Sequence, residues 1–302
     1  MLALTLAFKN LIGAGLRTWL NVIVLSFAFV LMVFYNAMID GWNRQGRNDT
    51  QDWEIGQGQY WHPEYDKYDP YTIQDAHQLI SDDIQAMISG GELTPVLISQ
   101  ATMYPKGRMQ AVVLKGVDPK QEILKLPTAD LINVQDKTAA IIGKRMSENA
   151  HLKVGDAVLV RWRDNKGMFD AMEITIGAIF KTDVPSIDIG QMYLPIRVLQ
   201  KMTSMTNEAT FLVAGDNSSL DPITDWTFRD TDFLLADLDA MIQAKKGGGM
   251  VLSGMLLLIA LLAIFDTQVL SIFRRQKEIG TYIALGMTRS QVVGLFTVEG
   301  GA

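Results

Sequence analysis

The sequence predicts a membrane protein in which two transmembrane helices flank a large extracytoplasmic domain of the α+β class. Residues Thr18–Ile39 contain no charged side chain, and residues Gly247–Phe273 contain only Asp266. At a rise of ~1.5 Å per residue, each segment is long enough to cross a hydrocarbon core of ~30 Å. Between them, short apolar segments alternate with turn residues in a polar, acidic stretch. We predict transmembrane helices over residues 18–40 and 247–273, and the α+β domain over residues 41–244.

The first apolar segment is predicted to be a retained span rather than a cleaved signal peptide. A signal peptide has an apolar core of only ~7–15 residues and ends at a small-residue site. This segment is longer, and no A-x-A site follows it. Trp19, Tyr35 and Trp42 stand near its ends, where aromatic residues anchor a helix at the interface. Residues 1–17 carry apolar side chains at helical spacing and predict an amphipathic helix in the membrane interface.

The basic residues that flank the two spans predict that both termini are cytoplasmic. Lys9 and Arg17 precede the first span, and Arg274 and Arg275 follow the second. Because short basic flanks remain on the cytoplasmic side, the acidic middle domain is predicted to be extracytoplasmic. Asp266 lies about two turns inside the basic end, and we expect it to face neighbouring helices or water rather than to carry protons.

The middle domain is predicted to mix helices and strands. Residues Asn43–Tyr71 are predicted as an extended entry with one or two strands. A helix is predicted to begin at Thr72, as the first residue of a capping box, and to end at Gly90. Further helices are predicted over Lys144–Ala150, Ile196–Met202 and Asp232–Gln243. Strands are predicted over Thr94–Tyr104, Met109–Val117, Ala139–Ile142, Ala157–Trp162, Tyr193–Leu194 and Phe211–Ala214, with another ending near Phe180.

Composition argues against several classes of function. The chain has no cysteine, so we expect neither disulfides nor thiolate metal sites. Its histidines, His62, His77 and His151, form no H-x-x-x-H pair. A formal net charge of −6 gives no electrostatic reason to bind nucleic acid. We therefore expect no metal, no cofactor and no catalytic residue on this chain, and we do not predict an enzyme.

The sequence contains no phosphate-binding loop of the form G-x-x-x-x-G-K-[ST]. By itself the chain is therefore not expected to bind and hydrolyse a nucleotide in the P-loop manner. If ATP drives its function, we expect ATP and Mg²⁺ on a partner subunit.

The segment Arg275–Gly286 directly follows the second predicted span and combines charged residues with glycines. If the segment is helical, side chains that stand three or four residues apart share one face. These are Arg275, Glu278, Ile279 and Tyr282. Such a face presents charges and an apolar side chain to a groove on a partner protein. The alternative is an ordinary helix next to the membrane whose charged side chains are solvated. The sequence R-R-Q-K-E on its own would favour that alternative.

This segment resembles the signature of FtsX/MacB-type permeases of ABC transporters. The similar positions are Arg275, Glu278, Ile279, Gly280, Ala284, Leu285 and Gly286, followed by Gln291, Val292, Phe296 and Glu299. Weaker similarities follow the family's order along the chain, at Leu6–Leu11, Lys115–Pro119, Ile141–Lys144, Leu152–Asp156 and Ile179–Thr182. The last of these, with Asp188 and Tyr193, is most similar to the lipoprotein-releasing LolC/LolE branch. Two positions depart from the pattern, Arg274 and Ile283.

The resemblance implies a multi-pass permease subunit of the inner membrane with a MacB-like periplasmic domain. It implies assembly with a separate ABC ATPase and with a second permease subunit, identical or different, in contact with membrane lipid. In such transporters, closure of the ATPases is passed through the membrane helices to the periplasmic domain, which is called mechanotransmission. The implied outcome is the release or extrusion of lipoproteins or of other periplasmic or outer-leaflet cargo. For lipoproteins, the implied role is in lipoprotein localization.

The resemblance also implies which residues contact the ATPase. They lie on a coupling helix within the cytoplasmic segment 274–302, where Gly280 and Gly286 permit close approach and a turn. The implied contact residues are Arg275, Glu278, Ile279, Gly280, Tyr282, Ala284, Leu285 and Gly286. Because the family continues through two further spans, we expect the sequence to be truncated before the third and fourth transmembrane helices.

Two alternatives stay open within the same family. An FtsX-like regulator transports nothing and instead activates an extracytoplasmic cell-wall hydrolase. A MacB-type efflux permease carries its ATPase domain before the first span, where this sequence has no phosphate-binding loop.

Overall fold

The computed structural model describes residues 16–132 and 138–301. The chain divides into two compact units. The middle unit consists of Asn43–Asp239, and the helical unit consists of the segments before and after it. Most of the interfacial helix predicted over residues 1–17 lies outside the described residues.

The helices are longest in the helical unit. Two of them, α1 and α6, extend from the helical unit into the middle unit. The α-helices are α1 (Leu16–Thr50), α2 (Asp82–Ser89), α3 (Lys144–Ala150), α4 (Pro185–Asp188), α5 (Ile196–Thr203), α6 (Thr231–Arg274), α7 (Gln276–Ala284) and α8 (Arg289–Gly301).

Strands lie in the middle unit, which confirms its predicted α+β class. They are β1 (Gly58–Trp61), β2 (Gln78–Leu79), β3 (Leu93–Met103), β4 (Gln110–Val117), β5 (Ala139–Gly143), β6 (Ala157–Arg163), β7 (Phe169–Phe180), β8 (Gln191–Pro195), β9 (Glu208–Ala209), β10 (Phe211–Ala214) and β11 (Thr227–Arg229). The strands predicted from short apolar segments are all present, whereas β2, β9 and β11 were not predicted.

In the described part of the chain, nine strands form one sheet in the order β11-β1-β10-β3-β4-β8-β5-β7-β6. The pairs β4–β8 and β5–β7 are parallel, and the other pairs are antiparallel. Strand β3 also pairs with β6, through Ala101 opposite Trp162. This additional pairing closes six of the strands, β3, β4, β8, β5, β7 and β6, into a ring.

The strands of this ring differ in burial: β5 is buried along its whole length, whereas β6 follows the two-residue period of a half-buried strand. In β6 every second residue is buried, so that Val158, Val160 and Trp162 belong to the core while Leu159 and Arg161 are exposed. The largest core cluster joins the ring to α3 and α5, and it contains Leu97, Leu114, Met146, Ile176 and Leu199.

The helix predicted to begin at Thr72 begins instead after Ser81. The Thr72 hydroxyl donates to the Asp69 carbonyl at 2.8 Å and lies in a 3₁₀ turn over Pro70–Gln74, so it caps no α-helix. The Ser81 hydroxyl accepts from the backbone N–H of Ile84, which makes Ser81 the N-cap of α2. The predicted end of this helix at Gly90 is confirmed.

The predicted extended entry over Asn43–Tyr71 is also wrong in its first part. Helix α1 continues to Thr50, and a π-helical turn over Gln51–Ile55 precedes β1. The Arg47 guanidinium contacts the carboxylates of Asp232 and Asp239 on α6. These long-range ion pairs hold the last turns of α1 in helical form, although the local sequence N-R-Q-G-R-N-D-T has weak helix propensity.

The predicted transmembrane helices over residues 18–40 and 247–273 fall within α1 and α6. Over the residues that the structure describes, no helix combines the length and the apolarity that a membrane crossing requires. The two spans are therefore not confirmed and stay predictions.

Candidate coupling site

The segment Arg275–Gly286 forms a short helix at the end of α6, as predicted. Helix α6 ends at Arg274, and Arg275 is the N-cap of α7 with φ −98° and ψ 16°. Its Nε atom lies 2.6 Å from Glu278 Oε2, one turn along α7. The same guanidinium stands 5.0 Å from the centre of the Phe296 ring on α8. Arg275 thus connects the start of α7 to α8.

Helix α7 ends in a glycine-dependent turn. Gly286 has φ +93°, a conformation that residues with a Cβ rarely adopt. Its N–H donates to the Ile283 carbonyl, and the N–H of Met287 donates to the Tyr282 carbonyl, both at 3.1 Å. This pair of bonds is the Schellman motif, which satisfies the last carbonyls of a helix. The predicted role of Gly286 in a turn is therefore confirmed.

A capping box begins the next helix. The Thr288 hydroxyl accepts from the N–H of Gln291 at 3.4 Å, while the Gln291 side-chain oxygen accepts from the N–H of Thr288 at 2.9 Å. The spacing T-x-x-Q is the sequence signature of this motif, and the sequence reasoning above did not use it. Val292 follows in the first turn and is buried, and α8 packs against α7. The two caps together specify a helical hairpin.

The structure divides the predicted contact residues into two groups. One group is half-buried in the hairpin and consists of Arg275, Ile279 and Tyr282. The other is exposed and consists of Glu278, Gly280, Ala284, Leu285 and Gly286. On α7 and at its end, the apolar side chains most available to a partner are therefore Leu285, which is 77% exposed, and Ile283, which is 47% exposed; on α8, Val293 is 65% exposed. Ile283 was not among the predicted contact residues.

Charge at this site is mainly basic. Arg274, Lys277 and Arg289 are exposed around the hairpin, and Glu278 is also exposed beside Arg275. Asp266, the carboxylate inside the second predicted span, is exposed on α6. In the part of the chain that the structure describes, no group of three or more histidine, aspartate or glutamate side chains is arranged to hold a metal ion.

A second polar cluster, which the sequence reasoning missed, surrounds Glu54 in the π-helical turn of the middle unit. Its carboxylate lies 3.0 Å from Lys115 Nζ on β4 and accepts from the Ser186 hydroxyl on α4 at 2.8 Å. Burial alone would raise the pKa of Glu54, but the Lys115 charge and the hydrogen bonds bring it below its ordinary value of 4.5. Burial, and then the Glu54 charge, raise the pKa values of Tyr65 and Tyr193. The lysine inside the otherwise apolar letters V-V-L-K-G-V was the available signal.

This cluster connects α1 to the sheet. π-Helical turns occur frequently at functional sites, and here the turn directly continues α1. Because Lys115 belongs to β4 and Ser186 to α4, the Glu54 carboxylate ties the turn to two elements of the middle unit. Trp53 stacks on Phe180 beside it, with ring centres 5.8 Å apart.

Residues 250–301 match the family described as FtsX-like permease C-terminal. The match contains the last part of α6 and all of α7 and α8. This part of the chain is therefore similar to FtsX-like permeases. The LolC/LolE branch and the truncation stay predictions. No curated protein shows a significant match to the sequence.

Two solved structures share distant similarity with the chain. One is the extracellular domain of the ABC-type transporter YknZ from Gram-positive bacteria, with 16% identity, 54% of this chain and 83% of that chain covered, and a TM-score of 0.34. The other is the periplasmic region of MacB from Actinobacillus actinomycetemcomitans, with 13% identity, 61% of this chain and 94% of that chain covered, and a TM-score of 0.39. At these scores neither similarity supports a functional conclusion.

Proposed function

We propose that the chain is a permease subunit of an ABC transporter. In this proposal a separate ATPase binds the α7–α8 hairpin, and its ATP-driven closure moves the middle unit through α1 and α6. The observation that carries the proposal is the FtsX-like permease match over residues 250–301, which includes the whole hairpin. The chain itself is proposed to be neither an enzyme nor a cofactor-binding protein, since it lacks a phosphate-binding loop.

The surfaces of α1 and α6 support a membrane location. Large apolar side chains are exposed along both helices, among them Phe27, Phe29 and Phe34 on α1 and Leu257, Leu261 and Phe265 on α6. Water-soluble proteins rarely expose so large a contiguous apolar surface. Lipid, or the helices of a second permease subunit, would cover it. We propose an inner-membrane protein with cytoplasmic termini and a periplasmic middle unit.

The hairpin has the properties of a docking element. Its backbone is fixed by the two caps, so that it presents a preformed surface. That surface combines the exposed apolar Leu285 with basic residues such as Lys277. An apolar side chain that enters a pocket of the partner, surrounded by charges, is a common way to obtain both affinity and orientation.

The proposed cargo is a lipoprotein or another periplasmic or outer-leaflet molecule, released by mechanotransmission. The similarity of Ile179–Thr182, Asp188 and Tyr193 to the lipoprotein-releasing branch supports this choice. The second candidate is an FtsX-like regulator of a cell-wall hydrolase, because the matching family is named for FtsX. Depletion of the chain separates them: retention of lipoproteins in the inner membrane supports release, and loss of hydrolase activity with normal lipoprotein distribution supports regulation.

Copurification tests the ATPase contact. The chain is expressed together with a candidate ABC ATPase subunit from the same organism, and complexes are isolated through a tag on the chain. We expect Leu285→Asp and Glu278→Lys to abolish copurification, since both residues are exposed on α7 or its end. Lys153→Gln, on an exposed site of the middle unit, serves as the matched control. Undiminished ATPase binding by both hairpin variants would contradict the proposed contact.

A further inference from the structure

The middle unit contains a cavity that the coupling site does not use. It has a volume of about 850 Å³ and lies between the outer side of β3 and β4, the β6–β7 hairpin and the 3₁₀ turn Pro70–Gln74. Its lining includes Lys67, Arg161 and Arg163 and contains no aspartate or glutamate. This contrasts with the chain as a whole, whose formal net charge is −6. The cavity is therefore a basic site in an acidic protein.

Two of the three cations are available to a ligand. The strand period places Arg161 and Arg163 on the exposed side of β6, while Trp162 between them is buried. Within residues 16–132 and 138–301, neither guanidinium lies in an ion pair. Arg161 stands 4.2 Å from the centre of the Phe169 ring. Arg163 donates only to neutral acceptors, from Nε to the Gly167 carbonyl at 3.1 Å and from a terminal nitrogen to the Gln74 side-chain oxygen at 3.4 Å. Lys67 is different, because its ammonium lies 2.7 Å from Asp237.

The same cavity exposes large apolar side chains. Tyr71 is 89% exposed, Met109 is 77% exposed and Phe169 is 64% exposed, and all three line the cavity. Exposed apolar groups that gather beside a concave surface favour an apolar ligand, because its binding removes them from water. The cavity thus combines apolar walls with uncompensated positive charge.

Three side chains of the lining that can donate hydrogen bonds already have partners within the middle unit. Gln100 Nε2 donates to the Pro70 carbonyl at 2.8 Å, and Gln74 Nε2 donates to the Asp164 carbonyl at 3.0 Å. The Trp162 indole N–H donates to the Met202 carbonyl at 2.7 Å. An extended peptide needs hydrogen-bond partners for its backbone, and these amides do not provide them. A ligand with an apolar chain and one anionic group makes smaller demands.

We propose that this cavity binds an anionic amphiphile. Its apolar chain lies against Met109 and Phe169, and its carboxylate or phosphate accepts hydrogen bonds from the guanidinium groups of Arg161 and Arg163. Guanidinium groups form strong, charge-assisted bonds with both anions, often two at a time. Arg161 keeps its contact with Phe169 while it does so, which joins the charged and apolar parts of the site. The site is independent of the ATPase partner.

Photolabelling of the full chain in nanodiscs of neutral phosphatidylcholine tests this proposal. The probe is a dodecanoate with a diazirine near the end of its chain, and dodecanol with the same diazirine is the uncharged comparison. We expect the carboxylate to label peptides that contain Met109 or Phe169 about tenfold more than the alcohol does. The double variant Arg161→Gln/Arg163→Gln is expected to reduce carboxylate labelling to the level of the alcohol. Arg197→Gln, at an exposed site on α5, is the control and should label as wild type.

Several results would overturn the proposal. Labelling spread over other surfaces, or unaffected by the double variant, would exclude this site. Equal competition by inorganic phosphate and by unlabelled dodecanoate would mean that the cavity binds anions without the chain. Competition by an acidic peptide but not by dodecanoate would make the cavity a peptide site. Met109→Ser, which changes an exposed side chain, should weaken chain binding without affecting folding, and unchanged labelling by this variant would contradict the assigned apolar wall.

Discussion

The middle unit and the helical unit differ in where they keep their large apolar side chains. In the middle unit, Leu97, Leu114 and Ile142 are fully buried in one core cluster. In the helical unit, Phe27 on α1 is 63% exposed and Leu257 on α6 is 56% exposed. Burial of apolar area is the main favourable contribution to folding. The middle unit therefore contains the source of its own stability, whereas the described residues of the helical unit leave many large apolar side chains uncovered.

One ion pair from each unit also differs in how far it is covered. In the middle unit, Glu54 and Lys115 are largely covered and carry further hydrogen bonds. In the helical unit, Lys246 and Asp40 lie 2.9 Å apart with about half of each side chain exposed. Covered pairs are costly to break, while exposed pairs contribute little to stability. The same substitution should thus have different effects in the two units.

The largest difference is expected for a leucine-to-alanine substitution made once in each unit. Leu114→Ala leaves a cavity in the core and should lower the free energy of unfolding by about 3 kcal/mol. Leu257→Ala removes only exposed surface and should change it by less than about 0.5 kcal/mol. Urea unfolding followed by tryptophan fluorescence measures both. Similar losses in the two variants would remove the distinction between the units.

Removing one partner of the covered ion pair should have the next largest effect. Glu54→Leu leaves the Lys115 ammonium without its counter-charge, and we expect a loss of about 2 kcal/mol because the pair is not wholly excluded from water. The double variant Glu54→Leu/Lys115→Met should recover most of it, since the unpaired charge is gone. Failure of the double variant to recover would show that the π-helical turn needs the carboxylate itself, for example to hold Ser186.

Acid should weaken the middle unit through the same carboxylate. The pKa of Glu54 is lower in the folded chain than its ordinary value of 4.5, so the ionised form stabilises the fold above that pH. This contribution is lost as the pH falls below about 4.5 and through the folded pKa. The difference in melting temperature between wild type and Glu54→Gln should therefore become smaller as the pH falls from 6 to 3.5. Thermal unfolding measured at pH intervals of about 0.5 tests this. A difference that grows toward low pH would mean that folding raises the pKa of Glu54 rather than lowering it. Glu173→Gln, on the exposed side of β7, is the control.

Local patterns predicted the elements that local forces determine. Short apolar segments bounded by turn residues located β3, β4, β6 and β10, because each of these strands has one face or both faces in a core. The coupling helix was located because its charges, glycines and spacing all lie within one short segment. Which of its faces is exposed was not predictable, since Phe296 and Val292 of α8 determine it.

Long-range contacts explain what local patterns missed. Thr72 stands at the sequence spacing of a capping box, yet Ser81 is the residue that caps α2. Strand β2, which lies between these two residues in the sequence, pairs with β9. Helix α1 continues past the predicted span because Arg47 meets carboxylates that stand far away in the sequence. The same holds for Glu54, whose partner Lys115 lies on a strand of the ring. The basic cavity likewise arises only when β3, β4 and the β6–β7 hairpin come together.

Within the middle unit, the smallest effect is expected at an exposed ion pair. Arg47 contacts Asp232 at 2.6 Å and also contacts Asp239, and Asp232 is mostly exposed. Arg47→Gln should therefore lower the free energy of unfolding by only about 0.5–1 kcal/mol. Since salt screens exposed charges at a Debye length of ~3 Å in 1 M salt, the difference from wild type should nearly disappear there. The Glu54→Leu loss should persist at the same salt concentration, because that pair is covered. The Arg47→Gln loss in free energy of unfolding could instead exceed the Glu54→Leu loss or be insensitive to salt. Either result would show that the ion pairs at the end of α1 stabilise the fold as strongly as a covered pair does. Exposure alone would then not separate the strong ion pairs of this chain from the weak ones.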